Sequence, residues 1–137
     1  MTTERKYFDL HTRGIGYVNR LRTVTPKKGQ PFLACTIAAL RGTTDEPEYT
    51  YIDVRVYNEK AIELLERCQD ALNQKQKVLI AFNVGDIYLD HFVYKNGEKK
   101  DQHGSGIKGR LIKITMLKID GHEFYRENAA EPMPAEA

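Results

Sequence analysis

The chain has 137 residues, 21 lysines and arginines against 19 aspartates and glutamates, and no tryptophan. That length fits one domain of ordinary size, and a composition 41% hydrophobic and 29% charged allows a core and argues against wholesale disorder. No run approaches the roughly 18 apolar residues of a membrane-spanning helix, and a net charge of +2 argues on its face against a protein built to hold a polyanion.

Residues 1–13 read as a mixed lead-in. The opening Met-Thr-Thr-Glu-Arg-Lys has no apolar stretch behind it, so no secretory signal is expected. From Gly14 to Val24 the residues are β-branched and aromatic, which predicts a long strand with glycines where it must bend. Strict alternation puts Tyr17, Asn19, Leu21 and Thr23 on one side, and Val18, Arg20 and Arg22 on the other. A proline- and glycine-rich loop, residues 25–31 with Lys27 and Lys28, leads to a second strand over Phe32 to Leu40. Its inward side is expected to hold Cys35, Ile37 and Ala39. Tyr49 to Tyr57 alternates most cleanly: Ile52, Val54 and Val56 face the core, while Tyr49, Tyr51, Asp53, Arg55 and Tyr57 face outward.

Asn58 is a good helix cap, with Glu59 in the first turn where the helix dipole favours a carboxylate. Ala61, Leu64, Leu65, Cys68 and Leu72 then recur at helical spacing, predicting one amphipathic helix over residues 59–73. Lys77 to Val84 is a fourth strand, interrupted at Gly85-Asp86 and continued in extended form to Tyr94. Residues 95–109 read as a polar loop or hairpin tip around Asn96-Gly97. Arg110 to Ile119 alternates as a fifth strand, with a brief return at Phe124-Tyr125. Residues 126–137 read as a disordered acidic tail. The fold class is therefore all-β with one helix. Five strands with the helix between the third and fourth predict a five-stranded OB-fold barrel, of Greek-key type, over residues 14–125.

No motif of catalysis is present: no G-x-S-x-G, no H-E-x-x-H, no Walker A lysine. Gly104-Ser-Gly106-Ile-Lys-Gly109 fits G-x-G-x-x-G, but that motif needs a strand before it and a helix after it. Here a polar segment precedes and a strand follows, so the segment reads as a flexible loop tip. His11, His91, His103 and His122 are scattered without ligand spacing. Asp86, Asp90 and His91 lie close together in sequence, but Asp86 and Asp90 share a face only if their strand is unbroken, so no metal is expected. No cofactor and no enzymatic activity are expected either. Cys35 and Cys68 lie inside apolar patterns and are expected to be reduced packing residues of a cytoplasmic protein.

The near-neutral total conceals blocks of opposite sign. Residues 11–42 hold six bases and no acid, residues 43–70 eight acids and three bases, residues 71–120 nine bases and five acids, and residues 121–137 four acids and one base. The barrel strands and loops are basic; much of the acid lies before the third strand, on the helix and in the tail. Tyr49, Tyr51, Tyr57, Tyr88, Phe92 and Tyr94 are candidates for outward faces near Arg20, Arg55 and Lys95. A single strand of nucleic acid needs this combination, because a basic groove follows phosphates and each base stacks on a ring. The bland reading of any one of these tyrosines is an ordinary half-buried strand residue. For the third strand the functional reading is favoured, because its opposite face already supplies the core.

Tyr17-Val-Asn-Arg-Leu21, Phe32 to Ala39, Tyr51-Ile-Asp-Val-Arg-Val-Tyr57 and Lys77-Val-Leu-Ile-Ala-Phe82 together resemble the bacterial single-stranded DNA-binding proteins, from about Gly14 to Ile119. Lys6-Tyr-Phe-Asp-Leu-His11, Gly14-Ile-Gly-Tyr17, Pro26-Lys-Lys-Gly29 and Lys108-Gly-Arg-Leu111 resemble more closely a family of small proteins of integrative and conjugative elements, described as replication or single-strand-binding-like proteins. The resemblance implies an OB-fold, self-association, and single-stranded DNA as ligand. By position Tyr51 matches the stacking aromatic of the third strand, Tyr57 the aromatic near its end, and Tyr88 or Leu89 a further aromatic. Tyrosine replaces tryptophan throughout, and the tail lacks the apolar tip that recruits partners to those proteins.

The expectation is a non-enzymatic protein that binds single-stranded DNA with little sequence preference during replication or transfer of a mobile element. Tyr49, Tyr51 and Tyr57 would stack on bases, with Tyr88 beside them. Arg20, Arg22, Arg55, Lys27, Lys28 and Lys95 would follow phosphates. A homo-oligomer is expected, with replication proteins as partners and no membrane. A protein-interaction module without nucleic acid is the alternative from another class, and single-stranded RNA a third reading.

Overall fold

The computed structural model describes residues 8–127. In chain order the elements are β1 (His11–Val24), β2 (Phe32–Gly42), β3 (Pro47–Val56), α1 (Glu59–Arg67), α2 (Gln69–Asn73), β4 (Val78–Val93), β5 (His103–Ile119) and β6 (His122–Arg126). The sheet order is β3-β2-β1-β4-β5-β6, and a parallel pairing of β3 with β5 closes the first five strands into a barrel. That closure, with helices between β3 and β4, is the OB-fold expected. Closing removes the edges that an open sheet would expose.

β1 serves two neighbours, which requires a bend. Residues 11–17 pair with β4 and residues 16–24 with β2, so Gly16 lies opposite both Ile80 and Ala39. A Cβ at Gly16 would stand 2.5 Å from the Ala38 carbonyl oxygen, so only glycine fits where the strand passes from one partner to the other. Further along, β1 advances three residues from Asn19 to Arg22 while β2 advances two, a bulge that places Arg20 at φ 51°. The bulge overturns the strict alternation expected of this strand. Val18 is buried and Leu21 packs against the same core, because one extra residue reverses the side on which every later residue falls.

The helical segment covers one end of the barrel. The Asn58 side chain accepts a hydrogen bond from the Ala61 amide at 3.1 Å, and Ala61, Leu64, Leu65 and Cys68 are buried against the core. A single helix over residues 59–73 is not what forms. The chain tightens at Cys68, whose amide bonds the Leu65 carbonyl three residues back, and α2 continues with no fully buried residue of its own.

β4 and β5 are longer than their apolar patterns indicate. β4 runs through Gly85-Asp86 without stopping, absorbing the interruption as a register shift between Gly85 and Tyr88, with Asp86 at φ 54°. β5 starts at His103, so residues 103–109 are strand and not loop tip; Gly104 to Gly109 is extended, with no phosphate-binding turn. The two strands form a protruding arm in which Tyr88 pairs with Lys108 and Phe92 with Gly104. A Cβ on Gly104 would meet the Phe92 ring at 2.6 Å. The aromatic cross-strand neighbour covers the glycine and supplies the packing its missing side chain cannot. β6 makes a sixth strand, pairing with β5 through Arg126. The Glu127 amide then bonds the Thr115 carbonyl, so order extends past the expected start of the tail. Residues 128–137, the rest of that tail, and residues 1–7 of the lead-in lie outside the described residues.

Candidate nucleic-acid interface

The outer face of β2 and β3 is built by register. Ile52, Val54 and Val56 are buried in the barrel, which turns Tyr51, Asp53 and Arg55 outward. Opposite them on β2 stand Ala38, Thr36 and Ala34 respectively. The three β2 residues are small and buried, so they form a low floor beside the larger β3 side chains. Tyr51 is 60% exposed, and Tyr49 and Tyr57 are exposed with it. The Tyr49 and Tyr51 ring centroids are 6.3 Å apart and tilted by 30°.

Two grooves follow this face and share Asp53. The first, about 760 Å³, is lined by Arg22, Phe32, Arg55, Tyr57, Tyr88 and Arg110 among others. The second is lined by Arg20, Tyr49, Tyr51, Leu89 and Ile107 among others. Their far wall is the β4–β5 arm, which sends Tyr88 into the first groove and Leu89, 67% exposed, into the second. The bulge in β1 delivers both Arg22 and Arg20; the Arg22 guanidinium donates to the Arg20 carbonyl at 2.9 Å.

Sequence reasoning missed the cationic-aromatic stack at the first groove. The Arg55 guanidinium lies 4.2 Å from the Phe32 ring centroid and 4.9 Å from that of Tyr57, and Arg110 lies 5.0 Å from Tyr57. Parallel pairing sets Arg55 directly beside Arg110, and two guanidiniums side by side repel. The Tyr57 ring lies within reach of both and attracts both, at roughly 0.5–1 kcal/mol per contact at exposed sites. Asp86 forms an ion pair with Arg110. Tyr57 thus organises two arginines and offers less free ring face than Tyr51. The signal for Phe32 lay in parity, since it shares the outward side of β2 with Ala34 and Thr36. No local signal pointed to Arg110, because the β3–β5 pairing joins residues far apart in sequence.

Not every expected residue reaches the grooves. Lys27 and Lys28 are exposed in the β1–β2 loop, and Lys95 is exposed at the tip of the arm; none of the three lines either groove. Lys108 does line the first, with its ammonium 3.2 Å from Asp90. Asp86 and Asp90 are therefore each tied to a base, while His91 stacks on His103 with ring centroids 5.3 Å apart. Among the described residues no group of three potential metal ligands comes together, and no helix is long and apolar enough to cross a membrane.

Cys35 and Cys68 are free and buried. Burial pushes the Cys35 thiol from 9.0 up to about 12, partly offset by the Arg22 charge and reinforced by that of Asp53; burial also raises Cys68. Both are packing groups, since thiolate character is what makes a cysteine reactive.

Fold and face together define an OB-fold barrel protein with an aromatic and basic groove on its β2–β3 surface. The chain belongs to the DUF3577 family, described as a protein of unknown function, whose profile matches residues 1–133. No curated protein and no solved structure matches it.

Proposed function

We propose that the protein is a non-enzymatic single-stranded DNA-binding protein of low sequence specificity, acting in the cytoplasm in replication or transfer of a mobile element. The observation that carries this reading is the outward set Tyr49, Tyr51, Arg55 and Tyr57, lying along two grooves that also take in Arg20, Arg22 and Tyr88. OB-folds hold oligonucleotides on this strand 2–3 face, between the loop joining strands 1 and 2 and the loop joining strands 4 and 5. Tyr51 and Tyr49 stack on bases. Arg20, Arg22 and Arg55 follow phosphates, and Lys27, Lys28 and Lys95 extend the positive path beyond the grooves. The motif resemblance to bacterial single-stranded DNA-binding proteins supports the same ligand, and supports several copies acting together, with replication proteins as partners.

Titration of a labelled oligo-dT at several salt concentrations tests the reading. The logarithm of the binding constant should fall against the logarithm of salt with a slope of about −0.7 per phosphate neutralised. Binding that ignores salt, or none at low salt, would sink the proposal. Competition between matched DNA and RNA oligomers decides which nucleic acid is preferred.

One observation favours the alternative of a protein-interaction module. Leu89, Phe92 and Val93 expose apolar surface on the protruding arm, a surface suited to a second copy or another partner. Arg55→Glu and Val93→Ser separate the two: under the first reading Arg55→Glu abolishes oligonucleotide binding and Val93→Ser leaves it intact, and under the second Val93→Ser lowers the assembly mass.

A further inference from the structure

A carboxylate stands in the middle of the face just assigned to a polyanion. Asp53 lies on β3 between Tyr51 and Arg55 and lines both grooves. Aspartate is disfavoured in strands, and a fixed negative charge repels phosphates. One of its oxygens accepts from the Thr36 hydroxyl at 2.6 Å. It forms no salt bridge among the described residues, although bases surround it. Lys108, opposite it in the β3–β5 register, turns its ammonium to Asp90 instead. An ionised carboxylate has about four acceptor sites, and the Thr36 hydroxyl occupies one of them. The remaining acceptor capacity faces the grooves, within one strand repeat of the ring on which a base would stack.

We propose that Asp53 reads the Watson–Crick edge of a base in the bound single strand, favouring guanine and disfavouring thymine. The inference rests on the reading that this face binds single-stranded nucleic acid. In a single strand those edges are open to side chains. Guanine presents two adjacent donors, N1–H and the N2 amino group, which match the two oxygens of a carboxylate. Cytosine and adenine present one amino group beside a ring acceptor. Thymine presents a single N–H between two carbonyl oxygens that repel the carboxylate. Thr36 fixes the carboxylate from the floor, so the preference falls on one base of the bound strand and leaves the others free.

The test is competition against a labelled oligo-dT of about 15 nucleotides, within the span of one OB-fold. The competitors are the same oligomer with isolated guanines, cytosines or inosines, spaced so that no quadruplex forms. Guanine should compete about tenfold better than thymine, within the range of a bidentate base contact; cytosine should fall between them. Inosine, lacking the N2 amino group, should lose most of the gain in the wild-type protein. Asp53→Asn keeps the shape and an acceptor for Thr36 but places a donor amide against the base. It should bring guanine and thymine to equal affinity while still binding oligo-dT. Equal affinities in the wild-type protein, inosine equal to guanine, or a guanine preference kept by Asp53→Asn would overturn the inference and leave the parent reading standing. Failure of every oligomer to bind at low salt would overturn both.

Discussion

Tyr51 and Tyr57 occupy the same face of one strand, yet their surroundings assign them different work. Among the described residues the aromatic contact of Tyr51 is the tilted Tyr49 ring, and its 60% exposure leaves it open to a base. Tyr57 is already engaged by Arg55 and Arg110. Tyr51→Ala should therefore weaken oligonucleotide binding by about 1–3 kcal/mol, the range for loss of one stacking platform. The thermal midpoint should hardly move, because the ring contributes little to the core. Fluorescence anisotropy beside a melting curve checks both halves; an unchanged affinity removes Tyr51 from the site. At this scale the sequence was readable by alternation alone, since burial of Ile52, Val54 and Val56 forces their neighbours outward. It was not readable for Arg110, whose partner lies across a parallel pairing, or for Asp53, whose position in the groove becomes visible only with its floor.

At the scale of elements, the expected strands 1 to 3 and the start of the helix follow from periodicity and the Asn58 cap, and the structure contains them. The differences share one physical origin: each sits where a neighbouring element decides. The bulge at Asn19 to Arg22 reverses the facing of Leu21 because β2 fixes the register. Residues 103–109 become strand because β4 supplies partners, with Phe92 covering Gly104, although glycine and serine have little strand preference of their own. Gly16 shows how sharp such a constraint is. A Cβ there would meet the Ala38 carbonyl oxygen at 2.5 Å and the Ala39 Cα at 2.8 Å, both backbone atoms that cannot rotate away. Gly16→Ala should cost about 1–3 kcal/mol or more, as overpacking does. Gly106→Ala, with nothing within 4 Å, should stay within about 0.5 kcal/mol, the usual range for a substitution away from close packing. Urea denaturation midpoints of the two variants test the contrast, and equal midpoints would refute the close approach.

For the molecule as a whole, the single core joins the barrel wall to the helical plug. Cys35 on β2 and Cys68 after α1 belong to one apolar cluster, which makes the two thiols reporters of whether wall and plug open together. The Cys35 thiol is held neutral up to about 12 in the folded state against an ordinary 9.0. The sign follows directly. Above about 9 the unfolded chain loses this proton while the folded chain keeps it, so ionisation favours unfolding. The stability held below that value is lost progressively as pH rises towards about 12. The fall of stability at high pH sums over more groups than this one, so the informative quantity is a difference between proteins. Cys35→Val should show a shallower fall of stability between about pH 9 and 11 than the wild-type protein, whatever its stability at neutral pH. Thiol labelling with a disulfide reagent carries the argument further. If the barrel and its plug are one cooperative unit, Cys35 and Cys68 should react at the same rate, equal to that of global opening. Faster labelling of Cys68 would instead show that α1 and α2 lift from the barrel end while the strands, and the β2–β3 face they carry, stay folded.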